Sequence, residues 1–309
     1  MDDVLIIGGG TAALSAALYA KKKGLSVRVI TDSVGGALAA SVAVSRLNFL
    51  GNDGAVVIQN LRKAVEESGV EIVQSGGAIQ KISFRQENNK EIFSVQDEAG
   101  AVADARSVII ASGRKGRKLG IASEDQFVGK GLSYHLAPDA AAYKEKTVGI
   151  IGGGNSGLAK AIQLSGIAKQ LVVIERMEKI NGDPAAEDAL AREGKTAFIV
   201  NADVKEITGK GRAKGIVYED TATKETKEIP VDEVLVSIGM IPNSDFAKGL
   251  CELNQWGEVI VNSRTNATSH VGIFAAGDAT DISEKEAPIA AGEGVKAALQ
   301  CAKWLEANA

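Results

Sequence analysis

Two glycine-rich turns, about 144 residues apart, constrain this chain more than any other feature in it. The first lies in Val4-Leu5-Ile6-Ile7-Gly8-Gly9-Gly10-Thr11-Ala12-Ala13, a G-x-G-x-x-A between a strand-like apolar run and a helical stretch. Gly8 and Gly10 permit the tight turn and bring backbone amides close to a pyrophosphate, and small Ala13 lets helix and strand pack closely. The start of the helix, at Thr11 and Ala12, adds free N–H groups and a partial positive charge. Asp32 closes the next strand 19 residues after Ala13. A ribose-binding carboxylate is expected at about that distance, and a plain loop residue fits there as well.

The second turn, Gly152-Gly153-Gly154-Asn155-Ser156-Gly157, is a full G-x-G-x-x-G after Val148-Gly149-Ile150-Ile151. Its following strand, Leu171–Ile174, ends in Glu175, 18 residues beyond Gly157. Two such turns imply two dinucleotide domains, one for a tightly held cofactor and one for an exchanging one. The plainer alternative is one working site and one structural relic.

Apolar runs bounded by glycine recur at Val27–Ile30, Val108–Ala111 and Val234–Ile238, with amphipathic stretches at Ala12–Lys23 and Gly157–Ile167. Alternating strands and helices indicate an α/β protein. Aromatic residues make up only 4% of the 309, so the core is expected to be built from Val, Ile, Leu and Ala, as in parallel sheets covered on both faces. A net charge of -4 argues against general nucleic-acid binding. Cys251 and Cys301 are too few for a disulfide scaffold or a four-cysteine zinc site, and no metal cluster is evident. With no basic leader and no long apolar run, the chain is expected to be soluble and cytoplasmic, without a membrane span. His270 is expected to be exposed on a turn.

Further segments carry a family resemblance along nearly the whole chain. Gly35-Gly36-Ala37-Leu38 is similar to G-G-Q-L, and Asn48-Phe49-Leu50-Gly51 to N-Y-P-G. Ala111-Ser112-Gly113 corresponds to A-T-G, and Ile238-Gly239-Met240-Ile241-Pro242-Asn243 to I-G-x-x-P-N. Phe274-Ala275-Ala276-Gly277-Asp278 is an F-A-A-G-D segment, and Ala290-Ala291-Gly292-Glu293-Gly294 lies in the last helix. The chain thus resembles the low-molecular-weight thioredoxin reductases, within the FAD and pyridine-nucleotide disulfide oxidoreductases. The resemblance implies an FAD domain of residues 1–113 and 244–309, an NAD(P)H-type domain of 114–243 inserted in it, rotation between the two, and a homodimer. It places FAD against Gly8, Gly10, Thr11, Ala12, Ala13, Asp32, Gly36, Ala37, Asn48, Ala111, Ser112, Gly113, Gly277, Asp278, Glu286 and Ala287. It places NAD(P)H against Gly152, Gly154, Asn155, Ser156, Gly157, Glu175, Arg176 and Gly239.

The departures from the family are equally informative. Its redox disulfide, C-A-x-C-D-G, is replaced here, with His135 and Pro138 in the cysteine positions and only Asp139 retained. This pair cannot form a disulfide, so thioredoxin reduction by the family route is not expected. His135 and Asp139 are left as candidate proton carriers, or as packing residues without chemistry. The arginines that meet the 2′-phosphate of NADPH in relatives are reduced to Arg176, beside Glu175. A carboxylate suits the free ribose hydroxyls of NADH. Against a 2′-phosphate at about 5 Å and an effective dielectric of about 20, it costs roughly 3 kcal/mol per charge pair. Glu286 stands where the family has a neutral Gln near the flavin, which would disfavour the anionic reduced flavin. The basic run Arg114-Lys115-Gly116-Arg117-Lys118 reads as a solvated linker or as a dock for an acidic carrier such as ferredoxin or flavodoxin, or for a phosphate.

The expected function is an FAD-dependent oxidoreductase that uses NADH in preference to NADPH. Its acceptor would be oxygen, a quinone, free flavin or an electron carrier. The alternatives are a ferredoxin or flavodoxin reductase-like partner, and a non-catalytic FAD-binding sensor or scaffold.

Overall fold

The computed structural model describes residues 1–39, 54–137 and 139–308. The chain divides into two compact units, Met1–Lys115 with Ile241–Ala309, and Gly116–Met240 between them. The architecture is α/β, and each unit is built on a Rossmann-like parallel sheet.

In the first unit the strands Glu71–Gln74, Val27–Thr31, Asp2–Ile7 and Val102–Ile110 run parallel in that spatial order. The long strand Val102–Ile110 changes partners along its length. Its first half pairs antiparallel with Lys90–Asp97, and its second half runs parallel to Ile273–Ala275. A hairpin joins Ile79–Glu87 to Lys90–Asp97 through Asn88 and Asn89. Both asparagines have positive φ, 51° and 59°, the conformation that a two-residue hairpin turn of matching twist requires.

Alternation along Asp2–Ile7 sends Val4 and Ile6 to one face and Leu5 and Ile7 to the other, and all four are buried. Helices Thr11–Lys22, Gly54–Glu67 and Ala287–Ala307 cover the first face. The last helix, with Pro288 in its first turn, comes down directly on the first. A Cβ on Gly294 would lie 2.1 Å from the Ala12 carbonyl oxygen, so only glycine allows that approach.

The second unit has a five-stranded parallel sheet, ordered Thr196–Ile199, Gln170–Ile174, Thr147–Ile151, Glu233–Val236 and Leu132–Ser133. Helix Asn155–Ser165 follows the strand Thr147–Ile151. A three-stranded antiparallel sheet, Ala202–Thr208, Gly215–Asp220 and Thr226–Pro230, shares a core with it through Val172, Ile174, Ile216 and Val234.

His270 departs from its expected exposure. Its ring packs 5.0 Å from Phe84 and 5.6 Å from Phe93, and its Nε2 lies 3.0 Å from a Glu91 carboxylate oxygen. Two aromatic rings on the neighbouring antiparallel strands provide a cover that local sequence does not announce. Cys251 and Cys301 are both free and buried, as small apolar side chains are.

Candidate functional site

Each glycine-rich turn sits at the carboxyl end of the central strand of its own parallel sheet, the edge where such folds bind ligands. In the first, the N–H of Gly8 donates to Ile30 O at 2.8 Å, and its φ of +122° excludes an ordinary side chain. Ala12 and Ala13 are buried at the start of the helix that Thr11 opens. Gly36 approaches the turn so closely that a Cβ on it would lie 3.1 Å from Gly10 Cα, and Gly35 N donates to Gly9 O at 2.8 Å. Ala37 follows in the short helix Gly36–Ala39, and exposed Asp32 stands just after strand Val27–Thr31.

Gly10 has no such constraint. Its backbone is extended, at φ −83° and ψ −172°, and an added Cβ would meet only Gly36 Cα, at 4.0 Å. Gly154 repeats the pattern at φ −79° and ψ 179°, with nothing within 4 Å of an added Cβ. Neither glycine is required by its backbone or by packing among the described residues, so each leaves a cradle open where a bound group needs close access to backbone N–H.

Around the first turn, Ala111 ends at the same sheet edge. Ser112 Oγ donates to Asn243 O at 2.5 Å, and Asn243 N donates to Gly113 O at 2.9 Å. Gly277 N donates to the buried carboxylate of Glu293 at 2.9 Å, which fixes the Gly277–Ala279 turn to the last helix. Burial raises the pKa of Glu293 against that hydrogen bond. Burial also raises the pKa of Asp278, opposed by Arg114 and Lys285, and no described residue donates a hydrogen bond to its carboxylate. Exposed Glu286 is the N-cap of the helix that Ala287 begins.

Nearby, buried Glu258 pairs with both Arg114 and Lys285, the latter at 3.2 Å, and accepts from Asn254 Nδ2 at 2.6 Å. Burial alone would raise its pKa, but these partners hold it below the ordinary range. The basic run is largely neutralised by its own surroundings. Besides Arg114, Lys115 lies 3.8 Å from Asp245 and Lys118 2.6 Å from Asp125.

In the second turn, Gly152 has φ +112°, and a Cβ on Gly157 would lie 1.9 Å from Gly152 O. Asn155 Oδ1 accepts from Asp183 N at 2.8 Å, and Ser237 Oγ donates to Ser156 Oγ at 3.1 Å. Glu175 accepts from Gly153 N at 2.8 Å and from Met177 N at 3.0 Å, so both its oxygens are anchored to backbone. Arg176 Nε lies 3.3 Å from Asp203. Gly239, at φ +103°, accepts from Arg117 N at 3.0 Å.

His135 is exposed, yet partial burial of its ring and the neighbouring Lys160 charge lower its pKa and favour the neutral imidazole. Asp139 caps the turn Ala140–Tyr143 by accepting from Ala141 N at 2.9 Å, and no hydrogen bond joins it to His135. Asn48, with the segment through Gly51, and Pro138 lie outside the described residues.

Sequence patterns passed over Lys160, Glu258 and Asp203. Lys160 Nζ donates to Tyr134 O at 2.8 Å and Val236 O at 3.2 Å, and burial brings its pKa down to about 8. A lysine in the second turn of a helix, a single acid in a loop and a single acid in a strand carry no motif. Only Glu293, a carboxylate between two glycines on a helix otherwise rich in alanine, offered a local signal.

Residues 2–294 match the family described as pyridine nucleotide-disulphide oxidoreductase. The chain is 34% identical over 309 residues to an NADH dehydrogenase of Ferdinandcohnia aciditolerans, covering 99% of this chain and 58% of that protein. It is equally 34% identical to an alkyl hydroperoxide reductase subunit of Staphylococcus aureus, covering 99% of this chain and 59% of that protein. The chain therefore spans less than two thirds of the length of these curated relatives. The crystal structure of T. acidophilum thioredoxin reductase is similar over 100% of this chain and 99% of that one, with 32% identity and a TM-score of 0.80. Among the described residues, no helix is long and apolar enough to cross a membrane.

Proposed function

This chain belongs to the pyridine nucleotide-disulphide oxidoreductase family, and we propose that it is an FAD-dependent oxidoreductase that oxidises NADH in preference to NADPH and reduces an acceptor other than a disulfide. The observation that carries this reading is the pair Gly10 and Gly154, two glycines that neither their backbone angles nor the described residues around them require, each at the N-terminus of a helix on a parallel sheet. An oxidoreductase that couples a resident cofactor to a diffusible dinucleotide needs two such cradles. A scaffold that binds flavin alone needs one.

FAD, when bound, supplies a centre that takes two electrons as hydride and releases them together or singly. The Gly8–Ala13 turn would hold its pyrophosphate by backbone N–H, with the Ser112–Gly113 and Gly277–Asp278 segments following the next two strands of its sheet. The Gly152–Gly157 turn would hold the dinucleotide. Glu175, fixed by two N–H donors, presents a carboxylate at the strand end, where free ribose hydroxyls are good partners and a phosphate is not. The NADH dehydrogenase of Ferdinandcohnia, 34% identical to this chain, supports the same donor.

The two thiols of this chain are unsuited to disulfide chemistry. Burial raises the pKa of Cys251, and burial, only partly opposed by the Ser107 hydrogen bond, pushes Cys301 up to about 12. The thiolate, which is the reacting form, is thus withheld at neutral pH. The acceptor is accordingly read as oxygen, a quinone, free flavin or a small electron carrier.

Anaerobic titration of the yellow holoprotein tests the proposal. Bleaching of the flavin absorption is expected at stoichiometric NADH, with NADPH less effective. A flavin that stays oxidised in excess NADH and NADPH overturns it.

A further inference from the structure

Arg176 is the one arginine in the stretch Glu175–Asn181, and the structure shows what occupies it. Its Nε lies 3.3 Å from an Asp203 oxygen, and the other Asp203 oxygen takes Lys205 Nζ at 2.6 Å. Backbone hydrogen bonds set this arrangement. Asn201 N donates to Met177 O at 2.8 Å and Ala202 N to Glu175 O at 2.9 Å. Asn201 sits at φ 54°, so the chain turns there and enters the strand Ala202–Thr208 with Asp203 beside Arg176. The Asp203 side chain is 25% exposed against 74% for Arg176, which makes the carboxylate the fixed member and the guanidinium the movable one. Glu175, on the other side, is anchored through both oxygens.

We propose that Asp203 is a specificity-determining residue. It occupies Arg176, so a ribose 2′-phosphate beside Glu175 finds no free guanidinium there. The inference rests on the reading that the Gly152–Gly157 turn takes a nicotinamide dinucleotide. Glu175 is a poor residue for testing it, because removing that carboxylate also releases Gly153 N–H and disturbs the turn. Asp203 makes no hydrogen bond to the turn and separates the two effects.

The test is fluorescence titration of the FAD-loaded chain with NADH and with NADPH, comparing the ratio of the two Kd values among variants. An ion pair this exposed is weak, so Asp203→Asn should lower the ratio of NADPH Kd to NADH Kd by only about fivefold. The change should be present at about 0.05 M salt and fade toward about 0.5 M, as screening requires. Adding Arg176→Met to Asp203→Asn should abolish it. An unchanged ratio in Asp203→Asn, or a gain that survives loss of Arg176, overturns the assignment while leaving the nucleotide site in place. A wild-type chain that binds neither nucleotide overturns the site and the assignment together.

Discussion

The two glycine-rich turns solve the same backbone problem and differ in what surrounds them. Gly8 and Gly152 each donate to the neighbouring strand at 2.8 Å, and a Cβ on either would lie within 2.3 Å of a carbonyl oxygen, that of Ala111 or Ser237. At the middle glycine they part. A Cβ on Gly9 would meet Ser33 O and Thr31 Oγ1, whereas Gly153 is backed by Ile180 and the Glu175 carboxylate. Their helices differ too. Thr11–Lys22 is buried from Ala12 to Ala17 beneath the last helix, while Asn155–Ser165 keeps Ile162 45% exposed. A neutral turn roofed by a second helix suits a cofactor held through many turnovers. An acidic turn on an open helix suits one that enters and leaves.

Breaking the cradles should have the largest effect. Among the described residues, a methyl at Gly10 or Gly154 meets no non-neighbouring atom closer than 4.0 Å, so folding should be unaffected. A methyl that displaces a phosphate from backbone N–H should weaken binding by about 10–100-fold. Gly10→Ala is expected to purify with depleted flavin, and Gly154→Ala to keep its flavin while NADH no longer bleaches it. If both variants retain full flavin and full bleaching, the cradles are not ligand sites.

The sixth position of each turn sharpens the comparison. Gly157→Ala forces a Cβ to within 1.9 Å of Gly152 O and should destabilise by about 3 kcal/mol. Ala13→Gly removes a buried methyl and adds backbone freedom, and should cost about 2 kcal/mol. Urea midpoints read both, and equal losses would show that the two helices sit alike on their strands.

The buried charges beside the first turn come next. Glu258→Gln removes the anion shared by Arg114 and Lys285 and should cost about 2 kcal/mol in denaturant unfolding. Because its partners lower the folded pKa, this contribution is present above the ordinary carboxylate range. It is lost as pH falls through the lower folded value. The gap between wild type and Glu258→Gln should therefore shrink in acid, and a constant gap would contradict the ion cluster.

A further effect belongs to the second unit. Lys160 titrates near pH 8 when folded and near its ordinary 10.5 when unfolded. Between those values the unfolded chain holds the extra proton, so the contribution of Lys160 to stability rises with pH across that window. Wild type should gain stability relative to Lys160→Met from pH 8 to 10, and an unchanging difference would show an unperturbed amine.

Much of this was legible in one dimension because it is local. A strand, a tight turn and a helix N-terminus are contiguous, so Gly8 to Ala13 and Gly152 to Gly157 declare themselves by spacing alone. The ends of the parallel strands were read from apolar runs for the same reason. His270 was misread because the rings that cover it stand on strands some 180 residues earlier in the chain. The basic run at Arg114 looked like a free patch for a similar reason: the acid that takes its first residue is 144 positions away.

The amino-acid sequence by itself determined an α/β chain with two dinucleotide turns and no C-x-x-C, because those properties reside in residue types at short, fixed spacings. Tertiary structure alone decided which charges are occupied: Arg114 and Lys285 on Glu258, Arg176 on Asp203, and Lys160 on two carbonyls. An ion pair or a buried amine depends on distance and burial in space, and these arise only when remote segments of the chain fold against one another.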